Sequence, residues 1–167
     1  MLAVITGDLK AKVDRIWDAC WSGGVANPLE VMEQITYLLF IRRLDVLQTT
    51  KENRANRLGT SIGDPIFPLG DDDLGRPFAD MRWSRFKDRD PAEMFAIVGE
   101  RVFPFLRELG GEKSTYSHHM RDARFTIPTP ALLDRLVDML DELPMESRDT
   151  NAQRQPAQGL DLLLHVR

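Results

Sequence analysis

The sequence predicts a small all-α (mainly α) domain, a bundle of about four to six helices joined by long loops. Three observations carry this. Asn27-Pro28, Asp90-Pro91 and Thr129-Pro130 each set a capping residue before a proline suited to the first helical position. Apolar residues recur at helical spacing in the segments around these starts. Recurring β-alternation is absent, and only Arg124–Ile127 leaves room for one short strand.

The first helix lies in residues 8–21, where Leu9, Val13, Ile16, Trp17 and Cys20 fall on one stripe. "SGGVAN" breaks it. Asn27-Pro28-Leu29-Glu30 then supplies a cap, a proline and an acid, a capping-box pattern that opens a long helix. Residues 59–80, "GTSIGDPIFPLGDDDLGRPFAD", form a loop long enough to suggest function or mobility. A third helix follows Asp90, and Pro104 should kink or end it near Phe103. Thr129-Pro130 opens the last one, whose stripe is Leu132, Leu133, Leu136, Val137, Leu140 and Leu143, with Pro144 closing it.

The long helix poses a problem. Wound at about 100° per residue, its broad apolar arc holds Leu29, Met32, Ile35, Thr36, Leu39, Phe40, Val46 and Leu47. Val31 and Leu38 extend that arc, and Tyr37, Ile41 and Leu44 interrupt the opposite face. This arc is the expected core face, yet Arg42 and Arg43 lie inside it. Unpaired buried guanidinium groups are too costly to be incidental. They call for a carboxylate within the domain, or for a partner or phosphate across an interface.

The chain of 167 residues suits one domain with a real core. Its 43% hydrophobic and 29% charged residues place it among globular proteins. A net charge of −4 argues against coating nucleic acid by bulk electrostatics, though a local basic patch is compatible with it. A single cysteine excludes an internal disulfide and fits a reducing compartment, so a cytoplasmic location is expected. No apolar run approaches a membrane span.

Catalytic signals are weak. Cys20 sits on an apolar stripe and reads as core filler. His118-His119 are adjacent, which does not suit joint metal ligation, and read as exposed loop residues. Asp71-Asp72-Asp73 lacks the alternating ligands of a calcium loop. Asp64-Pro65-Ile66-Phe67 has the outline of an amino-methyltransferase tetrapeptide, but with Ile third and no strand before it. No glycine-rich phosphate loop follows a strand. No catalytic, cofactor or metal residue is therefore assigned.

Basic clusters are more suggestive. "RWSRFKDR" carries Arg82, Arg85, Lys87 and Arg89, with Trp83 and Phe86 interleaved. "KSTYSHHMRDAR" adds Lys113, Arg121 and Arg124, and Lys51, Arg54 and Arg57 extend the long helix. Such groups can grip phosphates, although ordinary solvated surface produces similar clusters. With Arg42 and Arg43, the residues of the first two clusters are the candidate DNA or partner contacts.

Three stretches, "IWDACWSGGVANPLEVMEQITYLLFIRRLD", "MRWSRFKDRDPAEMFAIVGERVFPFLREL" and "FTIPTPALLDRLVDMLDELPMESRDT", together resemble the N-terminal helical domain of the modification subunit of type I restriction–modification systems. The resemblance covers roughly residues 8–150, so 1–150 are assigned to that domain and 151–167 to a linker or divergent, truncated tail. It implies a domain that clamps DNA weakly and contacts the specificity subunit and a second modification subunit. The family methylates the N-6 amino group of adenine with S-adenosylmethionine, in a catalytic domain whose motifs do not occur here. Enzymatic activity is thus left open for this chain and not expected of it alone, and no cofactor is assigned to it. The alternative is a stand-alone helical adaptor that binds protein and never touches DNA.

Overall fold

The computed structural model describes residues 7–109 and 120–144. Helix α1 spans Gly7–Ser22 and α2 spans Pro28–Leu58. A 3-10 turn at Phe78–Met81 leads into the short α3, Trp83–Phe86. Helix α4, Pro91–Ile97, passes through a π-turn at Val98–Val102 into α5, Phe103–Leu109. Helix α6 is Pro130–Asp141. It packs against both α4 and α1. The architecture is all-α: among the described residues no strand forms, and extended backbone pairs only in an isolated bridge between Asp71 and Pro77.

All three expected caps are made. Side-chain oxygens of Asn27, Asp90 and Thr129 accept from the backbone N–H groups of Leu29, Glu93 and Leu132 at 3.0, 3.0 and 3.2 Å. At the far end of α2, Gly59 takes a left-handed φ of 64° and donates to the last carbonyls. Asn27→Ala is expected to cost about 1 kcal/mol in a urea melt, because it orphans a helix-terminal N–H. No loss in that melt would mean that water caps α2 equally well.

Three expectations need correction. The core face of α2 is not the predicted arc: Val31, Gln34, Ile35, Tyr37, Leu38, Ile41, Leu44, Asp45 and Gln48 are buried, whereas Leu29 and Leu47 are exposed. Of the predicted arc only Ile35 is fully covered, together with Val31 and Leu38 at its extension. The true core side includes two glutamines and an aspartate, so hydrophobicity alone pointed the wrong way. Second, residues 124–127 do not pair as a strand. Gln34 takes their backbone bonds, donating to the Arg124 carbonyl at 2.7 Å and accepting from the Thr126 N–H at 3.2 Å. The Phe125 ring comes to 3.0 Å from where a β-carbon on Gly99 would stand, so a larger residue there would press the ring out of place.

Third, of the two outcomes expected at Pro104, a kink or an end, the end does not occur. The preceding π-turn shifts the hydrogen-bond register, with Phe103 N–H reaching the Val98 carbonyl, and the helix runs on. The loop after α2 is likewise anchored. Phe67 is buried and stacks on Phe105 at 5.2 Å, while the Gln48 amide oxygen accepts from the N–H of Ile66 at 2.7 Å. The Asp-Pro-Ile-Phe tetrapeptide thus spends its aromatic ring on the core.

Candidate nucleic-acid and partner interface

Arg42 is committed inside the domain. Its guanidinium donates to the carbonyls of Leu140 at 2.6 Å, Leu143 at 2.9 Å and Asp141 at 3.1 Å. These carbonyls lie at and just beyond the end of α6, where a cation also complements the helix dipole. Burial lowers its pKa, and the Asp141 carboxylate works against that shift. Arg42 therefore pins α6 to α2. Arg43, its neighbour, is half-buried and makes no hydrogen bond or ion pair among the described residues.

The 82–89 cluster is mostly spent in the same way. Arg82 donates from Nε to Asp45 at 2.5 Å and from its two terminal nitrogens to Glu52 at 2.7 Å and Thr49 at 2.9 Å. Burial opposes the charge on Arg82, but these carboxylates outweigh it and raise the pKa. Lys87 meets Asp141 at 3.1 Å, and Trp83 Nε1 donates to the same carboxylate at 2.8 Å. Burial would raise the Asp141 pKa; the bonds from Trp83 and Lys87 lower it. Arg89 bridges Asp80 at 3.2 Å and Glu93 at 3.5 Å. Arg85 alone in this cluster is exposed with no side-chain partner among the described residues.

Sequence reasoning overlooked the groups that hold these cations. Asp45 and Gln48 are buried on α2, and Arg101 is buried in the π-turn, donating to the Pro77 carbonyl at 2.8 Å. Asp72 closes the acidic turn by accepting from the N–H groups of Leu74 and Arg76, both at 2.9 Å. The bond from the Arg76 N–H leads the effects that lower its pKa. The useful signal was that α2 carries carboxylates and amides at positions 45, 48 and 52, spaced to share one helix face.

The cations left over sit elsewhere. Arg54 and Arg57 are exposed on the last turns of α2, and Arg121 and Arg124 are exposed ahead of α6; none of the four guanidinium groups has a partner among the described residues. Lys51 is held by the Asp64 carbonyl at 2.6 Å. Lys113, His118 and His119 lie outside the described residues. The cleft of about 350 Å³ beside α4 is lined by Arg76, Arg89 and Arg101 but also by Asp80, Glu93 and Glu100, so it is no simple anion trap. Cys20 is buried, its thiol pushed up to about 11 by desolvation, as suits core filler. Among the described residues no cluster of ligands suits a metal ion.

The family model described as the HsdM N-terminal domain matches residues 9–140. The chain belongs to this family. It is thus an N-terminal domain of the modification subunit of type I restriction–modification systems. Neither the curated proteins nor the solved structures give a match to it. No helix of the HsdM domain, among the described residues, is long and apolar enough to cross a membrane.

Proposed function

We propose that this HsdM domain is a non-catalytic assembly and DNA-clamping module of an adenine N-6 DNA methyltransferase, working in the cytoplasm. In this reading it contacts DNA, the specificity subunit and a second modification subunit. Membership of the family across residues 9–140 is the observation that carries it. Support for DNA contact comes from the exposed guanidinium groups of Arg54, Arg57, Arg85, Arg121 and Arg124, which have no partner among the described residues. In this reading S-adenosylmethionine belongs to another domain of the subunit.

Fluorescence anisotropy with a random-sequence duplex tests the DNA contact. A chain of net charge −4 is expected to bind weakly at low salt and to lose that binding steeply as salt rises. Arg54→Gln with Arg57→Gln should flatten the log–log salt slope by about 2 if both touch phosphates. Lys87 is a poor target, because reversing it would set a glutamate against Asp141. Capture of a specificity subunit without any duplex binding would reduce the role to assembly. Failure of both would leave the adaptor.

A further inference from the structure

The outward side of α2 carries a pattern that the DNA reading does not use. Leu29, Met32, Thr36, Leu39, Arg43 and Val46 follow one another at intervals of three, four, three, four and three residues. Wound at about 100° per residue, they occupy one arc, opposite the buried side led by Leu38, Ile41 and Asp45. All are exposed or half-buried, Leu29 at 69%. A 3-4 spacing that drifts slowly around a straight helix is the geometry of a left-handed helix–helix seam. The seam runs about 26 Å at 1.5 Å per residue.

Its chemistry specifies what would cover it. Arg43 lies in the second half of the apolar run, half-buried, while its neighbour Arg42 takes three carbonyls and a carboxylate from α6. Covering the seam with a purely apolar helix would strand that guanidinium away from water, at a cost no apolar contact offsets. A helix with a carboxylate at the facing position would pair it, and a single polar pair inside an apolar seam also fixes register. We infer that this face of α2 is a docking seam for a partner α-helix that presents apolar residues at heptad spacing and one Asp or Glu to Arg43. The inference stands whether or not the domain touches DNA.

The test uses the full 167-residue chain and two stapled 21-residue helices, monomeric by sedimentation, with leucines at the heptad positions. One carries Glu where Arg43 is met, the other Lys. Calorimetry should show saturable binding of the Glu helix and at least tenfold weaker binding of the Lys helix. Arg43→Glu should invert that preference, and Arg43→Gln should remove it, both with unchanged melting temperature. Met32→Glu should abolish binding of both helices. Equal binding of the two helices to the unaltered chain, or no binding of either, would overturn the proposal. So would self-association of the chain that Arg43→Glu dissolves, because the occupant would then be a second copy.

Discussion

Asp45→Ala should lower the unfolding free energy by about 3 kcal/mol, the low end for a broken buried ion pair. Asp45 is only 5% exposed, and both its oxygens are used. One accepts from Arg82 Nε at 2.5 Å and the other from the Ser84 N–H at 2.8 Å. These bonds fasten the start of α3 to the middle of α2, some 37 residues away in sequence. Removing the carboxylate orphans the Ser84 N–H and leaves Arg82 with Glu52 and Thr49. Those two partners are why the loss sits at the low end of the range.

Urea melts of Asp45→Ala, Arg82→Ala and the double variant check this. The two single losses should sum to clearly more than the double loss, because the groups share one network. A loss under about 1 kcal/mol for Asp45→Ala would show that the pair behaves like a solvated surface bridge.

The same network explains what the sequence disclosed and what it hid. Caps are local chemistry, so Asn27, Asp90 and Thr129 could be placed with no knowledge of tertiary contacts. The faces of α2 could not, because apolar residues surround it and the side that packs inward includes Gln34, Asp45 and Gln48. Each of these is buried only because a distant group meets it: residues 124–126 for Gln34, Arg82 for Asp45, and the 66–67 backbone for Gln48. Such pairings join residues 18 to 92 positions apart and leave no periodic trace. The 82–89 run misled for a related reason. Its charge was visible, but the carboxylates of Asp45, Glu52, Asp80 and Asp141 that absorb it come from other elements.

Leu38→Ala and Leu39→Ala should separate the two faces of α2 directly. Leu38 is fully buried, so truncating it removes apolar contacts on every side and leaves a cavity, at a cost of about 2–5 kcal/mol. Leu39 is half-buried and packs only in part against the core, and its loss should cost about 1 kcal/mol, since water or neighbouring side chains can fill the space. The sequence arc does not separate the two, since it holds Leu39 and extends to Leu38. Urea melts with unchanged m-values give the comparison cleanly. Equal losses would mean that α2 is gripped from both sides, which would also leave no free seam around Arg43. A large loss for Leu38 with a small one for Leu39 keeps that face available, because a helix that depends on one side for its stability can offer the other to a partner.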